Sequence, residues 1–332
     1  MDPLVSILLP TYNRPKYVEQ ALKSALQQTY ANVEIIICDN SNNDETERIV
    51  STYLEQPGTA NLKYVKNKSN IGPIANMQKC FDLASGDFIN YLMDDDLLHP
   101  EKIAIMVKAI NKDNRITLVT SRRAVIDMSG QAIHLSSQAH PFYLPNQKKN
   151  VVDGNAVIQR MLYDRKNYIG EPTSVLFRKA DLKQPFGVFY GKLANNNVDV
   201  ATWLSLLEGK KAVFLSTPLN SFRKHANQIS QSTLSKMALC CDWIDHILTA
   251  RKHGLLTDHT AYLQAITKLS GKVCMRFPEW NMETNRAYHS DLVKRAQLLL
   301  DVCHKKKLLK EEAQLKRLLD QLDDQRRKKK RR

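Results

Sequence analysis

The sequence predicts an α/β fold: a mainly parallel, doubly wound sheet flanked by helices, followed by an α-helical C-terminal region. Three observations carry this expectation. Short apolar runs alternate with amphipathic stretches at helical spacing as far as Ile110, the pattern of strand–helix–strand crossovers. Polar residues stand directly behind those runs, where the carboxyl ends of parallel strands place ligands. From about Ser232 onward strand signals vanish and helical ones replace them. The expected division is therefore residues 1–230 as one α/β domain, 231–325 as a helical region, and 326–332 as a basic tail.

The elements follow in order. Leu4 to Pro10 ("LVSILLP") is a short run of branched apolar residues, as in a strand buried on both faces. Val18, Ala21, Leu22, Ala25 and Leu26 then recur at helical spacing between Arg14 and Thr29. "VEIIICDN" reads as a second strand, and "NDETERIVSTYLEQ" as a helix with acid at its positive end. "LKYVKN" is a third strand, Asn76 to Leu83 belongs to a third helix, and "DFINYLMD" is a fourth strand. Ile103, Met106, Val107 and Ile110 mark another helix. The middle is less regular, with strands at "ITLVTSRRAVID", "SVLFR" and "KAVFLST", an ordered loop around 134–150, and a helix over Asn197 to Gly209. Helices follow at Cys240 to Arg251 and Ala261 to Lys272, and a last one carries Leu308, Leu315, Leu319 and Leu322.

Composition narrows the class. With 332 residues, 43% hydrophobic and 25% charged, the chain is an ordinary globular protein with room for a large core. No apolar run is long enough to span a bilayer, and the first residues enter a strand without a leader-like segment, so a cytoplasmic setting is expected. The six cysteines contain no C-x-x-C pair, which points to neither zinc nor a disulfide framework. Eight of the fifteen excess positive charges fall in the last 29 residues. The body is only mildly basic and no nucleic-acid partner is expected; the tail suits a solvated terminus or an anionic membrane surface equally.

The chemistry-bearing stretch is "YLMDDDLLHP". Three adjacent aspartates, Asp94, Asp95 and Asp96, follow a buried run, where like charge and desolvation both oppose ionisation. Solvated turn residues are one resolution; a hard divalent cation bridging to phosphate oxygens is the other. At the first strand's end, "LPTYNRP" lacks the glycines of a dinucleotide or P-loop phosphate site. Tyr12 can stack on a base there, while Thr11 and Asn13 read equally as helix caps. Asp39 is placed to accept from a base edge or to form an Asx turn. "NIGPIAN" opens a helix, with a glycine that allows close backbone approach.

Taken together, "ILLPTYNRPKYVEQALKSALQQTYANVEIIICDNSNNDET", "NKSNIGPIAN" and "INYLMDDDLLHPEKI" resemble family 2 glycosyltransferases of the GT-A fold, over roughly residues 4 to 225. The resemblance implies a nucleotide-sugar donor, UDP-linked by preference, lying along Pro10, Thr11, Tyr12 and Arg14, with Asp39 on the base and Asn70 near the ribose or base. It implies Asp94 towards the ribose and Asp95, Asp96 and His225 on Mn2+ or Mg2+, with Arg223 at the diphosphate. The family's acidic pair at the second strand is here Asp39 followed by Asn40, a departure that leaves base preference open. "NNNVDVATWLSLLEG" matches the segment of the catalytic base at Asp199, and "GEPTSVLF" the acceptor-facing stretch at Glu171. The implied activity is metal-dependent, inverting glycosyl transfer to a glycan or lipid-linked glycan in cell-surface polysaccharide or glycoconjugate synthesis, at the inner face of the membrane. Competing with it are a non-catalytic transferase scaffold with a membrane-binding tail, and a nucleotidyltransferase, which the lack of a Gly-rich basic phosphate loop disfavours.

Overall fold

A computed structural model describes residues 2–56, 61–133, 140–144, 146–225, 233–276 and 286–330. Parts of the expected middle loop (134–139 and 145) and tail (331–332) lie outside the described residues, as do residues 226–232 around the expected boundary at 230.

The chain divides into two compact units, the first comprising residues 1–157, 167–193 and 198–225. Its alternating start is β1 (Val5–Thr11), α1 (Pro15–Leu26), β2 (Val33–Asp39), α2 (Glu45–Leu54), β3 (Leu62–Lys66), α3 (Pro73–Leu83) and β4 (Phe88–Tyr91). Every residue of β1 and β4 is buried, which is why those strands read as mostly apolar runs and not as alternating ones. α1 opens on a proline at its first turn and buries Val18, Ala21, Leu22 and Ala25, so the helix face is the one the spacing predicts. These side chains pack with Ile7, Leu9, Ile35, Ile37 and Phe88 from the sheet, each aliphatic contributing about 1.5–3 kcal/mol by leaving water.

The strand order is β3-β2-β1-β4, all parallel. Register aligns Thr11 with Asp39 and Leu8 with Tyr91, so the residues just beyond β1, β2 and β4 emerge at one end of the sheet. Past β4 come β5 (Leu97–Leu98), α4 (Lys102–Ile110), β6 (Ile116–Ile126), β7 (Lys149–Asp153), α5 (Gly154–Asp164), β8 (Val175–Arg178), β9 (Val188–Phe189), β10 (Lys192–Leu193), α6 (Val198–Leu207) and β11 (Lys211–Arg223).

The sheet is mainly parallel, as expected, and among the described residues β5, β7 and β8 run against the rest. β8 runs antiparallel between β4 and β6, and β11 pairs parallel with β6 but antiparallel with β5 and β7. A buried strand has the same apolar pattern in either direction, so direction depends on where the chain re-enters the sheet. β11 also runs six residues beyond the expected Thr217. It passes Pro218, which cannot donate to a ladder, through register shifts on both sides of that residue. That extension carries Arg223 to the turn that follows β4, where it bonds Asp95 and Asp96.

The second unit comprises residues 158–166, 194–197 and 226–332, so it takes in two segments that precede the expected boundary at 230. Its helices are α7 (Thr233–Lys252), α8 (His259–Arg276), α9 (Arg286–Lys305) and α10 (Leu309–Lys330). Trp243, Ile244, Ile247, Leu269, Val273, Leu299 and Leu315 are buried. Asp242 explains the capture of 194–197: its carboxylate accepts the backbone N–H groups of Asn195, Asn196 and Asn197 at 2.8–2.9 Å. Among the described residues no helix is long and apolar enough to cross a membrane.

Candidate active site

The three aspartates do not face open solvent. Asp94 and Asp96 are buried and Asp95 is 15% exposed at its side chain. Each has its own set of partners. Asp94 accepts from Thr11 Oγ1 at 2.9 Å and from Arg14 Nη1 at 2.9 Å, with the Tyr12 N–H at 3.4 Å. Asp95 Oδ2 accepts from the same Arg14 nitrogen at 2.8 Å, and His225 Nε2 lies 2.9 Å from that oxygen. Asp96 accepts from Thr173 Oγ1 at 2.6 Å and from the Arg223 backbone N–H at 3.1 Å. The repulsion posed by the sequence is thus divided among the Arg14 guanidinium, the His225 imidazole and several neutral donors.

It is not abolished. Burial pushes the Asp94 carboxyl up to about 6, opposed by Arg14 and reinforced by the charge on Asp95. Burial, again with Asp95, pushes Asp96 up to about 7. Fully buried Lys102 on α4 is pushed down to about 7 by desolvation, held up in part by Asp96, and its Nζ has no hydrogen-bond partner among the described residues. Arg14 moves the other way: burial works against its charge, but Asp94 and Asp95 more than offset this and raise it.

Arg223 has a different position from the one expected at a diphosphate. It is 0% exposed, and its guanidinium donates to the carbonyls of Asp95, Asp127 and Met128 and to Gln20 Oε1, all at 2.8–3.2 Å. The group also lies over the Tyr17 ring at 4.8 Å. Arg223 therefore holds the aspartate turn from behind. His225, 5% exposed, is packed against Tyr17 with ring centroids 5.9 Å apart.

At the end of β2, Asp39 is fully buried and accepts from the Ser41 N–H and the Tyr64 hydroxyl, both at 2.7 Å. Burial and then Asp39 itself push the Tyr64 phenol well up, so that hydroxyl remains a donor. The Asx-type bond to Ser41 is the local turn the sequence allowed; Tyr64 is a partner it did not reveal. Asn40 belongs to a closed network. Its amide donates to the Gly72 carbonyl, and its oxygen accepts from Asn67, whose amide also reaches Asn76. A carboxylate at position 40 could not make the first of these bonds, which accounts for the departure from an acidic pair. Asn70 accepts from the Gly72 N–H at 2.8 Å. Gly72 sits at φ +86° with open space around it, so its conformation, not close approach, calls for glycine.

Thr11 and Asn13 do not cap α1. Thr11 is spent on Asp94, and Asn13, at φ +52°, accepts from the Asn42 N–H. Pro10 is buried in β1, while Tyr12 is 43% exposed beside them, its hydroxyl accepting from Asn42.

A continuous path leads from the triplet to Asp199. Thr173, bonded to Asp96, stands in a 3₁₀ turn (Pro172–Ser174) that follows Gly170 and Glu171. The Glu171 carboxylate pairs with Arg123 and accepts from Ser174 Oγ and Asn220. Asn167 donates to both the Gly170 carbonyl and Asp199 Oδ2, at 2.9 and 2.8 Å. Asp199 lies in the first turn of α6. Thr173, Asn167 and Gln20 were absent from the sequence-based set. Thr173 lies within "GEPTSVLF" but its partner Asp96 is distant, and no local signal marks Asn167 or Gln20, which matter through Asp199 and Arg223. Among the described residues no three His, Cys, Asp or Glu side chains stand ready-formed around one metal position.

A sheet whose parallel strand ends gather Thr11, Asp39 and an acidic turn, with a candidate base on a later helix, defines an α/β group-transfer protein of the GT-A type. The family model described as Glycosyl transferase family 2 matches residues 6–170, and the chain belongs to that family: it is a glycosyltransferase. An uncharacterised glycosyltransferase of Rickettsia typhi is 28% identical over 241 residues, which is 71% of this chain and 69% of that protein. In fold the chain resembles TarS 1–349 of Staphylococcus aureus, solved in complex with UDP-GlcNAc, at a TM-score of 0.61 and 17% identity over 90% of this chain and 80% of that one. It also resembles the mannosyltransferase PcManGT of Pyrobaculum calidifontis, solved with GDP-Man and Mn2+, at a TM-score of 0.51 and 16% identity over 95% and 85% of the two chains.

Proposed function

We propose that this glycosyltransferase moves a sugar from a UDP-sugar to a hydroxyl of a glycan or lipid-linked glycan, with inversion and with a divalent cation, in polysaccharide or glycoconjugate synthesis. The observation that carries the reading is the shared guanidinium nitrogen between Asp94 and Asp95, with His225 on the same Asp95 oxygen. Two carboxylates facing one cation, beside an imidazole, form a hard oxygen-and-nitrogen donor set that suits Mn2+ or Mg2+. Asp95 and His225 would hold the ion, with Asp94 beside them towards the ribose. Asp96, tied to Thr173 and Arg223, anchors the turn and contributes its charge. When bound, the ion neutralises the diphosphate leaving group.

The chain's own groups do the rest. Tyr12 offers an exposed ring for the base, above buried Asp39, with Asn70 near the ribose. Asp199 takes the acceptor's proton as its oxygen attacks the anomeric carbon, and a single displacement of this kind inverts the centre. Asn167 holds Oδ2 of Asp199 and the Val200 N–H holds Oδ1, each at 2.8 Å, which fixes the orientation of the carboxylate. Glu171, already paired with Arg123, orients acceptor hydroxyls. The basic end of α10 and its tail suit an anionic membrane surface on the cytoplasmic side, where lipid-linked acceptors are available. Vesicle flotation of the full chain against one ending at Gln325 tests that element, and indistinguishable binding dismisses it.

The central test is calorimetry of UDP binding with and without MnCl2. Wild type is expected to bind UDP more tightly with the metal, and Asp95→Asn to bind it equally in both conditions. A metal effect of the same size in both proteins removes Asp95 from the site.

A further inference from the structure

Two guanidinium groups and an imidazole surround the aspartate turn, and they differ in their freedom to leave. Arg223 is wholly buried and committed to three carbonyls and Gln20. His225 is 5% exposed, but Arg14 is 27% exposed and reaches the turn at the end of a flexible stem. The backbone of Arg14 is fixed, since its carbonyl accepts the N–H groups of Tyr17 and Val18 at the start of α1. Only its side chain is free to swing. Its Nη1 stands 2.9 Å from Asp94 Oδ1 and 2.8 Å from Asp95 Oδ2, the seat a divalent ion needs in order to approach Asp95 at about 2.0–2.1 Å. A guanidinium and a dication cannot share that seat, because both are positive and both need the same oxygen. When Arg14 leaves, Asp94 keeps its Thr11 bond, so the turn need not collapse.

We propose that Arg14 is an exchangeable internal counter-cation: it bridges Asp94 and Asp95 in the free enzyme, yields its place to the divalent ion, and re-pairs with the donor's diphosphate. The inference rests on the metal-dependent reading above and deepens it. Its consequence is coupling. Metal alone must evict Arg14 with no new anion to receive it, whereas a diphosphate supplies one, and so each ligand tightens the other by the same factor.

The test measures Mn2+ binding directly, by the paramagnetic resonance signal of free Mn2+ and by calorimetry, with no turnover involved. Wild type, Arg14→Gln and Arg14→Lys are titrated with MnCl2 alone, with UDP and with GDP, after circular dichroism has confirmed folding. Arg14→Gln is expected to bind Mn2+ alone more tightly than wild type, within the about 5–150-fold range of such couplings, and to gain less from nucleotide. Arg14→Lys keeps a charge but loses the planar bridge, so its affinity for Mn2+ alone is expected between the two. If Arg14→Gln does not fold, Arg14→Lys carries the test by the same ranking. Mn2+ affinity at or below wild type in the folded variants, while UDP still tightens Mn2+ in wild type, overturns the exchange alone. If nucleotide and Mn2+ are indifferent to each other in wild type, the metal-dependent reading falls and the exchange with it.

Discussion

The ends of β2 and β4 lie in the same sheet, yet they are built on opposite principles. Behind β2, Asn40, Asn67 and Asn76 bond one another and the Gly72 and Cys38 carbonyls, Lys79 Nζ donates to Asn67 Oδ1 at 2.6 Å, and even Asp39 has a neutral donor on each oxygen. Behind β4, three carboxylates remain crowded, two of them pushed up by burial, with Arg14, just ahead of α1, bridging Asp94 and Asp95, and the His225 imidazole, just past β11, on Asp95. A closed polar network holds a surface in place and needs nothing further. A charge cluster with borrowed counter-ions retains electrostatic energy that a ligand can relieve. The contrast separates the part of the site that shapes from the part that reacts.

The largest effect is expected where chemistry alone is removed. Asp199→Asn keeps the size and one of the two contacts with Asn167 and the Val200 N–H, but loses the proton acceptor, so turnover should fall about 10²–10⁴-fold with nucleotide binding nearly unchanged. Steady-state kinetics beside UDP calorimetry decide it, and unaltered turnover takes Asp199 out of the mechanism. Next comes Arg223→Met, which strips the turn of its buried cation and leaves several carbonyls unpaired. A loss of about 3–5 kcal/mol in urea unfolding is expected; a loss below about 1 kcal/mol would place the anchor of the reactive half elsewhere.

Asn67→Leu breaks the quiet half. It should lower stability by about 1–3 kcal/mol through the unpaired Asn40 and Asn76 groups while leaving Mn2+ affinity as it was. A changed Mn2+ affinity would mean that the two strand ends are one system.

The smallest effect is that of pH. Folded Asp94 and Asp96 titrate near 6 and 7, against about 3.9 in the unfolded chain. The folded protein therefore holds extra protons in this interval, and its stability without metal should fall as pH rises from about 4 through 7. Lys102, depressed to about 7, has the opposite slope only above that value. Mn2+ requires ionised carboxylates, so its affinity should rise over pH 5.5–7.5. Calorimetry across that range checks the sign, and a flat profile would mean that the carboxylates are ionised throughout.

The helices and strands of the first unit were legible because burial imposes local periods on a sequence. Val18, Ala21, Leu22 and Ala25 declare the inner face of α1 without reference to anything distant. The polar residues at strand ends were legible for a related reason: parallel topology fixes where strand ends go, so Thr11, Asp39 and the aspartates could be grouped in advance. Strand direction was not legible in β8, nor was the passage of β11 beyond Pro218.

What each polar group does there was decided only in three dimensions. Arg223 lies more than a hundred residues from the Asp95 carbonyl it holds, and the same residue type at the same strand end could have faced a phosphate. Asn40 looked like a lapse from an acidic pair until Gly72 supplied a carbonyl that only an amide can satisfy. Asn167 carries no motif and gains meaning from Asp199 alone. Apolar spacing by itself determined the sheet and the end of it that carries the site, because the hydrophobic effect is non-directional and needs only a pattern. Hydrogen bonds and ion pairs are directional and short-ranged, so which carboxylate is anchored, which is bridged and which is left to act emerged only once distant residues met.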